Sequence, residues 1–286
     1  MKKFWLLAGI LLLVAAGILI YNQPRQLEVY FFDVGQGDST LVKTPSGGTV
    51  LIDGGPDRKV LRYLGKSLPF GQRNLDLMIL THPHADHVTG LVGVLERYKI
   101  GKVLATGALH TTTEYLEWLR LLNKKNIPWQ QALAGQTISF SDGVRLEALW
   151  PNRDLNGLAV ADLNESSVTV RIVYGRTAVL ITGDITVANE ADILASGGQV
   201  TAQILKVPHQ GSRTSSSLEF IKAVKPTWAV IFVGANNRYG HPHGEVVARY
   251  EQQGVEVLRT DQQGTIKFVS DGTAWRRLKP WSLLNF

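Results

Sequence analysis

The stretch of sequence that decides the fold is Thr81-His82-Pro83-His84-Ala85-Asp86-His87, in which three histidines and one aspartate fall within six residues. It directly follows the apolar run Leu75–Leu80, which has the length and composition of a buried strand. Imidazole and carboxylate are the natural protein ligands of zinc and similar divalent metals. A solvated loop needs no such concentration of ligands, so the pattern favours a metal site at the carboxyl end of this strand.

Composition and charge limit the remaining possibilities. The chain has 286 residues, of which 44% are apolar and 19% charged, which excludes a disordered or collagen-like protein. It contains no cysteine, which excludes disulfides, thiolate metal sites and cysteine nucleophiles. Half of the formal net charge of +6 lies in residues 1–26. The remaining residues carry only a mild excess of positive charge. This excess permits an anionic substrate, but the sequence does not show the strong basic stripe that is typical of nucleic-acid binders.

Residues 1–26 are predicted to be a membrane segment rather than part of the fold. Two lysines precede an unbroken apolar run of 18 residues, Phe4–Tyr21, which is the pattern of an export signal or a membrane anchor. Ala15-Ala16-Gly17 resembles a cleavage site, but the apolar run continues beyond it, which favours an uncleaved anchor. We expect residues 27–286 to form one domain outside the cytoplasm, held at the cell membrane by this helix, or secreted if the segment is cleaved.

From residue 27 onward, short strand patterns and helix patterns form two similar halves. Each half begins with several strands and then switches to strand–helix alternation, which predicts an α/β fold, a four-layer αββα sandwich. Residues 152–165 are expected to be a loop within this domain. The predicted strands are Leu27–Val34, Ser39–Lys43, Thr49–Ile52, Leu75–Leu80, Val144–Leu149, Val168–Tyr174, Thr177–Ile181, Ala202–Val207, Trp228–Val233, Val255–Leu258 and Thr265–Val269. The predicted helices are Val88–Tyr98, Glu114–Lys125, Ala188–Ala195, Ser217–Val224 and Gly244–Gln253.

The histidine motif resembles the signature of the metallo-β-lactamase superfamily, whose fold is the αββα sandwich. Three further strand ends agree with the pattern of that superfamily: Asp53-Gly54-Gly55, Gly183-Asp184 and Pro208-His209. The resemblance covers most of residues 27–286. It implies that Asp53 supports the metal loop without binding the metal, that Asp184 bridges two metals and that His209 is the last histidine ligand.

A narrower likeness is to the extracytoplasmic hydrolase domain of the ComEC family, the membrane DNA-uptake proteins of competent bacteria. Four segments carry it: Phe32–Ser39, Lys206–Ser212, Tyr239–Pro242 and Arg259–Gly264. In that family the domain is regarded as a nuclease that degrades one DNA strand. The multi-span channel region of the family is absent from this sequence. The resemblance therefore implies a singly anchored relative, whose expected partners are the membrane, DNA and a separate membrane channel protein.

The resemblance also implies the cofactor, two divalent metal ions, either zinc or manganese. The implied ligands are His82, His84, Asp184 and Asn164 for one ion, and Asp86, His87, Asp184 and His209 for the other. Most of the superfamily has a histidine in place of Asn164, and an amide oxygen is a weaker ligand than imidazole. The first ion is therefore expected to bind loosely or to be a harder ion such as manganese. A hydroxide between the two ions would be the nucleophile, oriented by Asp184.

Residues beyond the metal ligands are candidates for handling the substrate. His241 precedes a proline in a loop before a predicted helix, and it is a candidate general acid or phosphate donor. Residues 211–217 are expected to open a helix directly after His209, and their free N–H groups would hold a phosphate together with Ser212 and Arg213.

Other polar residues are expected to have no chemical role. Asp38 and Ser39 are interpreted as part of a tight loop near the cleft. His110 could line the cleft but is interpreted as an ordinary loop residue, and His243 is interpreted as an exposed residue at the start of a helix. Gln210 stands where the family often has a second histidine, and we assign no ligand role to it.

Three functions remain open on the sequence alone. The first is an extracytoplasmic metal-dependent hydrolase, a phosphodiesterase or nuclease that acts on DNA. The second keeps the same site but hydrolyses a lactone, a thioester or a β-lactam, which the fold alone cannot separate from the first. The third is a non-catalytic, membrane-tethered DNA-binding module with a degenerate metal site, which the presence of Asn164 motivates.

Overall fold

The computed structural model describes residues 26–278, which form two packed β-sheets with helices on both outer sides. The membrane segment predicted for residues 1–26 therefore lies outside the described residues, apart from its last position. Among residues 26–278, no helix combines the length and the apolar composition that crossing a bilayer requires.

The elements of the first sheet come from both ends of the described chain. Its strands are β1 (Leu27–Phe31), β2 (Thr40–Lys43), β3 (Thr49–Ile52), β4 (Asn74–Leu80), β5 (Lys99–Ala105), β6 (Trp129–Gln131), β14 (Ile266–Ser270) and β15 (Trp275–Leu278). They are ordered β15-β14-β1-β2-β3-β4-β5-β6 across the sheet. The helices of this half are α1 (Lys59–Ser67), α2 (Ala85–Arg97) and α3 (Thr113–Lys124).

The second sheet is built from consecutive strands. These are β7 (Thr137–Ser139), β8 (Arg145–Trp150), β9 (Thr169–Tyr174), β10 (Thr177–Ile181), β11 (Ile204–Lys206), β12 (Trp228–Ile231) and β13 (Glu256–Arg259), in the order β13-β12-β11-β10-β9-β8-β7. The helices of this half are α4 (Val187–Ala195), α5 (Leu218–Val224), α6 (Gly244–Gln252) and the short α7 (Thr260–Gln263). Two 3-10 turns, Leu163–Ser166 and Pro208–Gly211, precede β9 and follow β11.

The two halves repeat one pattern of pairing. In the first half, β1, β2 and β3 pair antiparallel, and β3 to β6 then run parallel with a helix between each pair of strands. In the second half, β7 to β10 pair antiparallel, and β10 to β13 run parallel in the same way. The strands β14 and β15 then return to pair beside β1. The predicted two-sheet α/β architecture is confirmed.

Alternation of side chains along the strands separates the core into three apolar layers. Along β1, Val29 and Phe31 point between the two sheets, while Tyr30 points to the helices outside. The helices of the first half cover the outer face of the first sheet, as Trp118 of α3 does. The helices of the second half cover the other sheet, as Phe220 of α5 does. The order of layers is therefore helices, sheet, sheet, helices.

The strands that carry the predicted metal ligands end at one edge of the sandwich. The segment after β4 holds the histidine motif, and Asp53, Asp184 and His209 follow β3, β10 and β11. Loops at the carboxyl ends of parallel strands are where α/β folds place their ligands. Helix α2 begins at Ala85, three residues before the predicted start. Asp86 and His87 are consequently fixed in its first turn rather than in a loop.

Candidate metal centre

His82 and His84 face each other at the floor of a cleft. Nε2 of His82 lies 2.9 Å from Nδ1 of His84, a separation that suits two nitrogens sharing one cation. Nδ1 of His82 lies 3.1 Å from Oγ1 of Thr81 and 3.3 Å from Oγ of Ser167, and these hydroxyls fix the ring. Burial, together with the nearby His87, holds the pKa of His82 well below its usual value. The neutral imidazole keeps a lone pair for a metal.

His87 is oriented by a buried carboxylate. Its Nδ1 lies 2.8 Å from Oδ2 of Asp53, while Asp53 also accepts bonds from the backbone N–H of Thr81 at 2.8 Å and from its hydroxyl at 2.7 Å. Nε2 of His87 is left to point the other way, 3.4 Å from Oδ2 of Asp184 and 3.7 Å from Oδ2 of Asp86. Asp53 thus contacts the side of His87 that faces away from Asp184 and Asp86, and the supporting role that the resemblance implies for it stays a prediction.

Asp184 lies close to His82 and His87 of the histidine motif. Its backbone N–H donates to Oγ of Ser167 at 2.9 Å, and ligand atoms of His82, His87 and Asp184 all lie within 4.8 Å of one another. Burial alone would raise the pKa of Asp184, but Lys206 and then His87 hold it well below its usual value. The carboxylate is thus charged and central to the cluster.

The cleft above this cluster has a volume of about 380 Å³ and is open to solvent. Most of the predicted site residues line it or lie beneath it. The lining residues are His84, Ala85, Asp86, His110, Thr112, Asn164, Asp184, His209, Gln210, Tyr239 and His241. The structure therefore brings together the predicted metal ligands, with the fully buried His82 and His87 below the surface. Which of them bind metal stays a prediction.

The loop after β11 has an unusual backbone that points two side chains into the cleft. His209 and Gln210 both adopt left-handed conformations, with φ of 49° and 53°. Nδ1 of His209 lies 3.1 Å from Oγ1 of Thr214. Gln210 donates from Nε2 to Oδ2 of Asp86 at 2.7 Å, and Gln36 donates to the amide oxygen of Gln210 in turn. Gln210, which was given no role from the sequence, therefore holds Asp86 in place.

The expected phosphate site after His209 differs from the structure. Helix α5 begins at Leu218 with Ser217 as its N-cap, so the residues directly after His209 precede the helix and do not form its first turn. The backbone N–H groups of Ser216 and Ser217 donate to the carboxylate of Glu190, at 2.5 and 2.8 Å. Glu190 is fully buried, so this protein carboxylate already occupies the position that an anion was expected to take.

Ser212 and Arg213 do not line the cleft. Ser212 is buried, and its hydroxyl oxygen lies 3.1 Å from Oγ1 of Thr214. Arg213 is exposed, and its Nε lies 3.6 Å from Oε1 of Glu245. Their role in binding phosphate stays a prediction that this placement does not favour.

Two further histidines lie at the cleft. The His241 ring is 5.7 Å from that of His209 between centroids, and burial, followed by the neighbouring His209 and His243, lowers the pKa of His241 to about 4. The ring is therefore neutral near pH 7, and its expected role as a general acid stays a prediction. His110 was expected to be an ordinary residue, but it lines the cleft with its ring 6.2 Å from that of His84.

Sequence reasoning missed two charged residues. Lys206 is fully buried at the end of β11, and its ammonium group forms ion pairs with Asp184, at 3.2 Å, and with Asp38. Asp38, interpreted from the sequence as only part of a tight loop, is thus the partner of Lys206 in the site, and burial raises the pKa of Asp38 to about 7 although Lys206 opposes this. The signal that could have found Lys206 is its position between the apolar residues Leu205 and Val207 at the end of a buried strand, because a lysine is almost never buried unless it is paired.

The residues present fit divalent metal ions. Nε2 of His87, Oδ1 of Asn164 and Nδ1 of His241 are buried side-chain atoms without a hydrogen-bond partner among residues 26–278. Such an atom costs about 1–3 kcal/mol when it is left unsatisfied, and a cation would supply a partner for the first two. The donors are imidazoles, carboxylates and one amide with no sulfur, which suits zinc or manganese.

The fold and this donor set define a metal-dependent hydrolase. The sequence profile of the metallo-beta-lactamase superfamily matches residues 32–235, and the chain belongs to that superfamily. It is 31% identical to "ComE operon protein 3" of Bacillus subtilis (strain 168) over 84% of this chain and 33% of that protein. It is 32% identical to "Competence protein ComA" of Neisseria gonorrhoeae over 90% of this chain and 35% of that protein. The chain thus spans about a third of the length of these curated relatives.

A solved structure gives independent support for the fold. The metallo hydrolase Igni18 from the archaeon Ignicoccus hospitalis KIN4/I superposes with a TM-score of 0.55. The alignment covers 85% of this chain and 98% of that chain at 17% sequence identity. At that identity the similarity concerns the fold alone.

Proposed function

We propose that this protein is an extracytoplasmic, metal-dependent phosphodiesterase that cleaves DNA strands. The observation that carries the proposal is the convergence of the imidazoles of His82 and His87 and the carboxylate of Asp184, whose ligand atoms lie within 4.8 Å of one another at an open cleft. The likeness to competence proteins favours DNA as the substrate. The slightly positive net charge permits a polyanion.

The chemistry divides between the ions and the side chains. Divalent ions held here would lower the pKa of water and polarise a phosphate oxygen. His82 and His84, whose pKa values burial lowers, would offer neutral nitrogens to one ion, and Asn164 lines the same cleft. Asp53 keeps Nε2 of His87 aimed into the site, and Gln210 does the same for a carboxylate oxygen of Asp86.

The wall of the cleft supplies contacts for the substrate. His241 and His110 both line it, and an imidazole N–H can donate to a phosphate oxygen. The proposal leaves Arg213 and Ser212 without a substrate contact.

The proposed location follows from the N-terminal sequence, and the proposed partners follow from the likeness to competence proteins. The apolar run with its two lysines is proposed to anchor the chain, with the hydrolase domain outside the cytoplasm. DNA and a separate membrane channel protein are the proposed partners. Protease treatment of intact spheroplasts tests the location: degradation of the domain is expected, and full protection would contradict it.

The activity is tested with the full-length protein in detergent, on end-labelled single-stranded DNA with Mn²⁺ or Zn²⁺, beside a panel of lactones, thioesters and β-lactams. Cleavage of DNA is expected and should be lost in His84→Ala and Asp184→Ala. Asp142→Ala is the matched control, because Asp142 accepts hydrogen bonds from Ser46 at the surface. Hydrolysis confined to the small-molecule panel would overturn the nuclease proposal. Metal-free protein that binds DNA without cleaving it would instead favour a binding module.

A further inference from the structure

Lys206 has no exposed surface and is held by three oxygen atoms. Its Nζ donates to the carbonyl oxygen of Gly183 at 2.6 Å and lies 3.2 Å from Oδ1 of Asp184. It also forms an ion pair with Oδ2 of Asp38. Burial would lower the pKa of Lys206, but Asp38 and then Asp184 raise it above its usual value. The side chain is thus a fixed cation behind the cluster of metal ligands.

This contact distinguishes the two oxygens of Asp184. Oδ1 is the oxygen that Lys206 holds, and Oδ2 is the one that lies 3.4 Å from Nε2 of His87. The hydrogen bond from the backbone N–H of Asp184 to Ser167 fixes the residue from the other side. A carboxylate without such a partner is free to turn both oxygens toward one cation.

The position of Asp38 is itself determined by close packing. The backbone N–H of Asp38 donates to the carbonyl oxygen of Asp86 at 3.3 Å. The backbone at Gly37 passes so close to Asp86 that a Cβ atom on Gly37 would lie 2.3 Å from the same carbonyl oxygen. Asp38 is therefore locked to the first turn of α2, and its carboxylate anchors the ammonium group of Lys206.

We propose that Lys206 is a positioning residue, whose ammonium group holds Oδ1 of Asp184 so that this carboxylate meets the metal centre through Oδ2 alone. Asp38 holds the ammonium group in place. The inference rests on the proposed metal-dependent function and assigns Lys206 no contact with the substrate. It predicts that removal of the ammonium group changes the coordination of the metal rather than only the stability of the fold.

The test uses Co²⁺ as the probe, added to the metal-free full-length protein and followed by its visible absorption spectrum. Lys206→Met leaves Asp38 buried without its cation, and the folding of this variant is expected to suffer. The double variant Asp38→Asn/Lys206→Met removes one charge of each sign, so the buried site keeps its net charge. The matched control is Lys43→Met, because Nζ of Lys43 lies 3.2 Å from Oε2 of Glu28 away from the site.

The double variant is expected to fold, to show an altered Co²⁺ spectrum and to bind Co²⁺ about 10- to 100-fold more weakly. Lys43→Met should match the wild type in both readouts. A folded double variant with the spectrum and the affinity of the wild type would overturn this inference alone. A wild-type protein that binds no Co²⁺ would overturn the inference together with the proposed function.

Discussion

Oδ2 of Asp53 lies 2.8 Å from Nδ1 of His87, and this contact decides which nitrogen of the histidine faces the cleft. A carboxylate accepts at this distance, so Nδ1 donates its proton to Asp53 and Nε2 is the nitrogen that faces the cleft. Asp53 adopts a left-handed conformation with φ of 58° directly after β3. The end of one strand thereby orients a ligand that belongs to the helix after the next strand.

The first prediction concerns this pair. Asp53→Asn replaces one acceptor oxygen by a donor group, so the amide can turn its NH₂ toward His87 and favour the wrong tautomer. We expect the affinity for Zn²⁺ or Mn²⁺ to fall about 10- to 100-fold, measured by isothermal titration calorimetry.

Asp76→Asn is the control for that measurement. Asp76 accepts bonds from the N–H and the hydroxyl of Thr49 at 2.8 and 2.9 Å, much as Asp53 does from Thr81, but it contacts no histidine among the described residues. Its metal affinity should equal that of the wild type. Equal affinities in wild type and Asp53→Asn would contradict the orienting role.

The second prediction concerns a close approach of two glycines. The backbone of α2 at Gly90 lies against the loop after β3, so that a Cβ atom on Gly90 would meet the carbonyl oxygen of Gly54 at 1.9 Å. The N–H of Gly54 donates to the carbonyl oxygen of His87 at 2.8 Å in the same contact. Gly90→Ala should cost about 3 kcal/mol of unfolding free energy and should weaken metal binding, because α2 carries Asp86 and His87.

Gly65→Ala in α1 is expected to have the opposite effect on the free energy of unfolding. A Cβ atom on Gly65 would have no neighbour within 4 Å, and alanine is preferred over glycine inside a helix. Urea unfolding should show this variant to be about 0.5–1 kcal/mol more stable than the wild type. Equal stability of Gly90→Ala and Gly65→Ala would contradict the predicted clash between residue 90 and the carbonyl oxygen of Gly54.

Much of the architecture could be predicted from the sequence, because buried parallel strands are nearly continuous apolar runs. The strand predicted at Leu75–Leu80 is β4, at Asn74–Leu80. The elements that were not predicted from the sequence lack such a continuous apolar run. Strand β5 begins Lys99-Ile100-Gly101-Lys102, and β6 and β7 have three residues each. Helix α1 interleaves its apolar residues with charged ones.

The candidate site was predictable only in part, for a related reason. The histidine motif is local in sequence, so its chemistry can be recognised before the fold is known. The contacts of Lys206 with Asp38 and of Gln210 with Asp86 join residues that are far apart in the chain. Tertiary packing likewise decides whether the backbone N–H groups of Ser216 and Ser217 bind an anion from solution or the carboxylate of Glu190.

The third prediction separates two candidates for contact with the substrate. Arg213 is exposed beside Glu245 and does not line the cleft, so Arg213→Ala should change kcat/KM for DNA by less than about twofold. His110 lines the cleft, so His110→Ala should lower kcat/KM about tenfold, mainly through KM. Steady-state cleavage assays give both numbers. The reverse order of effects would restore the phosphate site expected near Arg213.

The central claim is that the side chains around His82, His87 and Asp184 hold divalent metal. Its most direct test is the metal content of the purified full-length protein, measured by mass spectrometry after dialysis against Zn²⁺ or Mn²⁺ and removal of free ions. We predict about one or two equivalents per chain in the wild type and a clear loss in folded His87→Ala and Asp184→Ala. A wild-type chain without bound metal, or variants that retain the same content, would contradict the claim.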